Sequence, residues 1–156
     1  MSLQEIYQEV LLAHNEHPNN FFRMDKPSCQ AHGNNPLCGD EISVYLELKE
    51  NKIHQISFLG EGCAICRASA SIMTEKLKGK AVVEAKREAQ AFIDLLNDAQ
   101  KPIPEDLGEL AALLGVRNFP ARIKCATLAW HTFIKALDGG DNATEACASN
   151  CHSCCF

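Results

Sequence analysis

The chain has 156 residues, of which 46% are hydrophobic and 22% charged, a size and composition typical of one globular domain. Its formal net charge of −5 argues against nucleic-acid binding, which needs concentrated positive charge to displace phosphate counterions. No apolar run approaches the ~20 residues that span a membrane, and the first residues lack the basic and apolar regions of a secretory signal, so we expect a cytoplasmic protein.

The first half of the chain predicts one helix followed by a small antiparallel sheet. Apolar residues spaced three and four apart indicate an amphipathic N-terminal helix: Leu3, Ile6, Tyr7, Val10 and Leu11. Residues 27–40 are rich in Gly, Asn and Pro, which favours a loop with one short strand around residues 29–32. Alternating apolar and polar residues then predict strands at 42–48 and 53–59, joined by a turn at Glu50-Asn51.

The second half of the chain predicts helices. A break at Gly60-Glu61-Gly62 is followed by a helix that runs from Cys63 to about Lys78 and is closed by Gly79. Three further helical segments are expected, the second with Pro104 in its first turn: residues 82–96, 104–115 and 120–137. Strands followed by helices indicate the α+β class, with about three strands packed by an N-terminal helix and several C-terminal helices.

We expect one domain over residues 1–138 and a mobile tail over residues 139–156, because the composition turns small and polar beyond Gly139-Gly140. The tail carries closely spaced cysteines: Cys147, Cys151, Cys154 and Cys155. Two interpretations stay open for them. They are either spare thiols on an unstructured tail or an accessory metal or sulfur-relay site.

Cysteine is the unusual feature of the composition. The chain has nine cysteines, an odd number that excludes complete pairing within one chain. Reducing compartments also keep disulfides open, so a cytoplasmic protein needs another reason for so many thiols. Metal ligation or sulfur chemistry is therefore the leading class of function.

Two cysteines lie where local geometry favours reactive thiols. Cys38 lies in a predicted loop shaped by Pro36 and Gly39, and Asp40 follows two residues later, which lets a thiolate and a carboxylate reach one ion. Cys63 lies where a strand ends and a helix begins, and the unpaired N–H groups and dipole of the helix favour a thiolate there.

A third cysteine, Cys125, falls in the early turns of the last predicted helix. Arg122 precedes it by three residues on the same helical face, and Lys124 is its chain neighbour. We expect both cations to lower the pKa of the Cys125 thiol.

These thiols and Asp40 together supply the four ligands that a tetrahedral zinc site requires. The same mixture of soft and hard donors suits iron, and the sequence does not separate the two metals. The opposing interpretation is that the cysteines only pack in the core, since free cysteine is among the most buried residue types. The spacing favours neither interpretation over the other.

The surrounding motifs resemble the NifU-like iron–sulfur cluster assembly proteins. The resemblance covers residues 3–137 and rests on three motifs: residues 35–40 (NPLCGD), 60–74 (GEGCAICRASASIMT) and 122–130 (RIKCATLAW). It points to the SufU branch, because IscU-type scaffolds carry a histidine where this chain has Lys124. The segment at residues 107–117 is also longer than in IscU-type scaffolds, as it is in SufU proteins.

The resemblance implies a SufE/NifU-like fold and a zinc ion held by Cys38, Asp40, Cys63 and Cys125. It implies a sulfur shuttle rather than a classical enzyme, in which Cys38 accepts persulfide sulfur from a SufS-type cysteine desulfurase, with Cys125 as the alternative acceptor. Arg122 and Lys124 would contact that partner, and the sulfur would pass to a SufBCD-type assembly complex.

The resemblance also leaves a second function open. IscU-like relatives use iron on the same ligands, assemble a [2Fe–2S] cluster there and transfer it to apo iron–sulfur proteins.

Cys66 departs from the family pattern, in which serine is usual. It creates a Cys63-Ala64-Ile65-Cys66 motif, which is typical of thioredoxin-like redox proteins. The flanking elements disagree with that interpretation, since no parallel βαβ unit is predicted. We expect Cys66 to be a bystander one turn along the helix, with an accessory ligand role as the alternative.

Overall fold

The computed structural model describes residues 2–36 and 38–139. The elements in chain order are α1 (Leu3–Glu16), β1 (Cys29–Asn35), β2 (Asp40–Lys49), β3 (Lys52–Glu61), α2 (Ala64–Leu77), α3 (Val82–Asn97), a 3₁₀ helix (Gly108–Asn118) and α4 (Pro120–Leu137). Beyond Gly139, the expected tail and its cysteines lie outside the described residues. No helix in the described part of the chain is long and apolar enough to cross a membrane.

The sheet is a three-stranded antiparallel meander in the order β1-β2-β3, which confirms the predicted α+β class. Its second connection is a tight turn, because Glu50 and Asn51 both have positive φ, at 53° and 61°. Two such residues form the turn whose twist matches that of the flanking strands. This turn pairs Lys49 with Lys52 and sets the register of the hairpin.

The first and last strands are longer than the sequence predicts. β1 continues past residue 32 and pairs with β2 along its whole length, ending with Asn35 opposite Asp40. β3 continues past residue 59 through Gly60, which pairs with Ile42. Pairing with the central strand outweighs the poor strand propensity of Gly and Asn, a preference that depends on context. Both extensions carry the sheet to the segments that hold Cys38 and Cys63.

The segment before α4 also differs from the prediction. The expected helix from Pro104 to Gly115 is wrong, because the structure has a 3₁₀ helix over Gly108–Asn118. Gly108 has a φ of +59°, which is incompatible with a right-handed helix running through it from Pro104. The helical segment therefore begins later and ends beside Pro120, the first residue of α4.

The core lies between the sheet and the helices. α4 packs against β1 and β2, and α2 packs against β3. The aromatic residues Trp130 and Phe133 of α4 and Phe58 of β3 are fully buried. Small residues of α2 allow close contact with α4, since the Ser69 hydroxyl donates to the Ala126 carbonyl (2.6 Å) and accepts from Trp130 Nε1 (2.9 Å). These hydrogen bonds hold α2 against α4.

Candidate metal centre

Asp40 and Cys63 meet where β2 begins and α2 begins. Asp40 is buried, and its Oδ1 accepts a hydrogen bond from the Cys63 backbone N–H at 2.9 Å. Cys63 is the N-cap residue of α2 and makes no side-chain cap of its own. The Asp40 carboxylate thus satisfies one of the free donors at the start of α2, and its Oδ2 lies 4.0 Å from Cys63 Sγ.

Gly62 makes this approach possible. A Cβ at position 62 would overlap the Asp40 Oδ1 atom, so any other residue would push the carboxylate or the backbone away. The sequence interpretation of Gly60-Glu61-Gly62 as a strand break missed this role. The sequence feature that could have revealed this role is a glycine directly before the candidate ligand Cys63, because glycine allows close backbone approach.

Cys38 and Cys125 form the second pair. Their Sγ atoms lie 3.3 Å apart, although the residues come from the turn after β1 and from α4. Two sulfurs bound to one zinc ion would lie about 3.8 Å apart, given bonds of about 2.3 Å and tetrahedral angles. Cys38 is exposed, whereas Cys125 is fully buried. The pair therefore consists of one solvent-accessible thiol, Cys38, next to one buried thiol, Cys125.

Asn35 positions this pair and was not identified from the sequence. Its backbone carbonyl accepts from the Cys38 N–H at 3.2 Å, which closes the turn that carries Cys38. Its side chain is buried, and Nδ2 lies 3.9 Å from Cys125 Sγ. A buried amide directed at a sulfur favours the thiolate form, because the amide donates a hydrogen bond.

The two pairs form one cluster. The ligand atoms of Cys38, Asp40 and Cys125 all lie within 4.8 Å of one another, and Cys63 adjoins them through Asp40. The structure thus brings three of the predicted ligands together and places the fourth against them. Thiols and a carboxylate are a donor set that suits zinc or iron.

The surroundings of Cys125 favour its neutral thiol when no metal ion is bound. Burial raises the pKa of the Cys125 thiol, and the hydrogen bonds with Asp40, Cys38 and Cys63 raise it further. The expectation that Arg122 and Lys124 lower this pKa is wrong, because both side chains are exposed while the thiol is buried. A metal ion among these donors would reverse the effect and deprotonate a coordinating thiol.

Cys66 differs from the candidate ligands in the reactivity expected of its thiol. It is buried one turn into α2, and burial, together with the charges of Asp40 and Cys63, raises the pKa of its thiol to about 12. A thiol with so high a pKa is a poor nucleophile. All strands in the described part of the chain are antiparallel, so the alternative of a thioredoxin-like pair with Cys63 finds no support in the fold.

A groove runs beside the centre and includes one of the predicted partner-contact residues. It is formed by α1, the start of α2, the 3₁₀ helix and the start of α4, and Arg122 lines it together with Ala64. Phe119 lines it as well and is 61% exposed. Lys124 is exposed near the same helix end. A partner that fills this groove would cover Ala64, the neighbour of Cys63, and Arg122, which lies one turn before Cys125.

Comparison with known sequences gives consistent matches. Residues 6–126 match the family described as the NifU-like N terminal domain. The chain is 37% identical over 148 residues to the iron–sulfur cluster assembly scaffold protein IscU of Streptococcus pyogenes serotype M1, covering 95% of this chain and 92% of the relative. It is 40% identical over 139 residues to the zinc-dependent sulfurtransferase SufU of Bacillus subtilis strain 168, covering 89% of this chain and 91% of the relative.

A solved structure agrees with these matches. A crystal structure from Fervidobacterium islandicum AW-1, of a protein proposed to be an iron–sulfur cluster assembly scaffold for the SUF system, has a TM-score of 0.73 and 30% identity. The similarity covers 86% of this chain and 98% of that one. The fold of the described residues is therefore the fold of that protein.

Proposed function

Because this chain belongs to the NifU-like N-terminal domain family, we propose that it works in iron–sulfur cluster assembly as a zinc-dependent sulfur carrier. The name of the Bacillus subtilis relative describes that protein as a zinc-dependent sulfurtransferase. The observation that carries the proposal is the exposed Cys38 thiol beside the buried Cys125 thiol and the Asp40 carboxylate.

Cys38, Asp40, Cys63 and Cys125 would hold the zinc ion. The bound ion would keep the coordinating thiols deprotonated at neutral pH. Asp40 contributes a harder ligand than the thiolates, and the Cys63 N–H fixes its orientation. A carboxylate in the set argues against a purely structural site with four thiolates.

Accessibility selects Cys38 as the sulfur acceptor over Cys125. Thiol exchange requires that the attacking sulfur reach its target, and Cys125 is fully enclosed while Cys38 is exposed. The donor would be the persulfide on the active-site cysteine of a SufS-type cysteine desulfurase. The Cys38 thiolate attacks the outer sulfur of that persulfide, a new S–S bond forms on Cys38, and the donor cysteine leaves as a thiolate, so no net oxidation occurs.

The groove beside the centre is the proposed contact surface for this partner. Exposed Arg122 and Lys124 would attract an acidic surface, and Phe119 would supply apolar contact. The sulfur would then pass to a SufBCD-type assembly complex.

A second candidate function is supported by the Streptococcus pyogenes relative, which is named a scaffold. In that role the same ligands would bind iron and build a [2Fe–2S] cluster as cargo for apo iron–sulfur proteins. Lys124 favours the sulfur carrier, because a protonated amine cannot replace the histidine ligand that the resemblance places in IscU-type scaffolds. Anaerobic incubation with iron and sulfide separates the roles, since a scaffold turns brown and a zinc-bound carrier stays colourless.

The test of the proposal is transfer of labelled sulfur from a cysteine desulfurase, with peptide mapping to locate the label. Cys38→Ala is expected to lose the label at position 38 and most of the onward transfer. Cys66→Ser is the matched control and is expected to transfer sulfur normally, because Cys66 is buried with a high thiol pKa. Undiminished transfer by Cys38→Ala would move the acceptor role to another cysteine.

A further inference from the structure

A second cluster of metal-binding side chains lies away from the thiols and shares no residue with them. His14 of α1, Glu75 of α2 and Glu109 of the 3₁₀ helix place one nitrogen and two carboxylate oxygens within 4.8 Å of one another. His14 is buried, at 6% exposed, whereas both glutamates are exposed. The imidazole therefore forms the floor of the cluster, and the carboxylates form its open side.

A buried hydrogen bond fixes the orientation of the imidazole. His14 Nδ1 lies 2.7 Å from the hydroxyl of Ser71, which is fully buried and accepts from the Asn19 backbone N–H at 2.8 Å. A hydroxyl oxygen has two acceptor positions, so Ser71 can also accept from an Nδ1–H. The Glu109 carboxylate lies 2.8 Å from Nε2, so without a metal ion the proton lies on Nε2 and is donated to Glu109. Moving that proton to Nδ1, where Ser71 can accept it, frees the Nε2 lone pair for a metal ion. Metal-binding histidines are typically held in this way through their other nitrogen.

The charge of the cluster also favours a cation. The two carboxylates lie close together, and His14 Nε2 lies 2.8 Å from Glu109, a contact that is an ion pair only when the imidazole is protonated. The cluster keeps a net negative charge whether His14 is neutral or protonated. A divalent cation would remove the repulsion between the two glutamates, which a single histidine proton cannot offset fully.

We propose that His14, Glu75 and Glu109 bind one divalent metal ion through an imidazole nitrogen and two carboxylates. The absence of thiols makes this site suited to harder ions than the thiolate centre prefers, such as Mn²⁺ or Fe²⁺. The ion joins α1, α2 and the 3₁₀ helix, whose end at Asn118 lies directly before α4. It thereby holds in place the segment that leads to the helix of Cys125.

Binding of Mn²⁺ to the zinc-loaded full chain tests this site, because Mn²⁺ competes poorly for thiolates. Loss of the six-line electron paramagnetic resonance signal of free Mn²⁺ measures binding. The wild type is expected to bind one equivalent, and Glu75→Gln/Glu109→Gln is expected to bind at least about tenfold more weakly, since weakening even an outer contact of a metal site costs about that much. Glu84→Gln, which changes an exposed glutamate of α3, is the control and is expected to match the wild type.

Two outcomes would overturn the proposal: no binding by the wild type, or equal binding by the double variant. A second measurement does not depend on any variant. Electron spin echo modulation from an imidazole ¹⁴N should accompany the bound Mn²⁺, and its absence would exclude His14 as a ligand. The zinc content is expected to stay the same in every variant, so this test and that of the sulfur carrier can fail independently.

Discussion

Among single residues, Gly62 determines whether Asp40 can enter the candidate metal centre. The space that a side chain would need at position 62 is occupied by the Asp40 carboxylate, which the Cys63 N–H holds in place. Asp40 is in turn buried, at 1% exposed, so displacing its carboxylate would disturb the surrounding packing. The position of the Asp40 carboxylate thus depends on the absence of a side chain at Gly62.

We predict that Gly62→Ala displaces the Asp40 carboxylate and weakens zinc binding at least about tenfold, as changes near metal ligands do. Overpacking at this site is also expected to lower the free energy of unfolding by about 1–3 kcal/mol. Competition with a chromophoric chelator measures the first effect and urea unfolding the second.

Gly115→Ala is the matched control, since nothing lies within 4 Å of a Cβ at that position. It is expected to leave the zinc affinity unchanged. If Gly62→Ala also binds zinc as the wild type does, Asp40 is not a ligand.

At the level of elements, the contact between α2 and α4 depends on small residues and one shared hydroxyl. Ser69 donates to the Ala126 carbonyl and accepts from Trp130 Nε1, and both helices carry a candidate ligand near their N-terminal ends. The hydroxyl therefore helps to set the distance between the segments of Cys63 and Cys125.

Ser69→Ala is predicted to lower the free energy of unfolding by about 1–3 kcal/mol, because it leaves the Trp130 N–H without its buried partner. Ser57→Ala provides the comparison. Ser57 is equally buried, but its hydroxyl has no hydrogen-bond partner among the described residues, so its removal is expected to be neutral or stabilising. Urea unfolding of both variants checks the difference, and equal losses would contradict the role of Ser69.

For the molecule as a whole, the candidate ligands come from separate parts of the fold. Cys38 lies in the turn after β1, Asp40 in β2, Cys63 at the start of α2 and Cys125 in α4. An ion bound by all of them would link the sheet to both helices. Any ligand that binds only the folded state stabilises it, by about 4 kcal/mol at a concentration of about 1,000 Kd.

We predict that removing zinc with a strong chelator lowers the melting temperature of the wild type by several degrees. The expected size follows from the relation between free energy and melting temperature for domains of this length, roughly 2–4 °C for each kcal/mol. Calorimetry measures the shift. Cys38→Ala/Cys63→Ala is the control and should respond little to the chelator; a response as large as that of the wild type would place the stabilising metal elsewhere in the chain.

The sequence determined those features that depend on local patterns. Periodicity and turn residues predicted α1, α2, α4 and the hairpin of β2 and β3, and the motifs around the cysteines led to the family that the comparisons confirm. Hydrophobic spacing, capping and turn chemistry act over a few residues, so they can be read along the chain.

The tertiary structure decided what depends on burial and on contacts between distant residues. It extended β1, raised the pKa of the Cys125 thiol where neighbouring cations were expected to lower it, and placed Asn35 and Gly62 around the ligands. It also brought His14 to Glu109 across 95 residues of chain. Such effects arise only when packing removes water and joins separate segments, and neither burial nor long-range proximity is encoded in a short stretch of sequence.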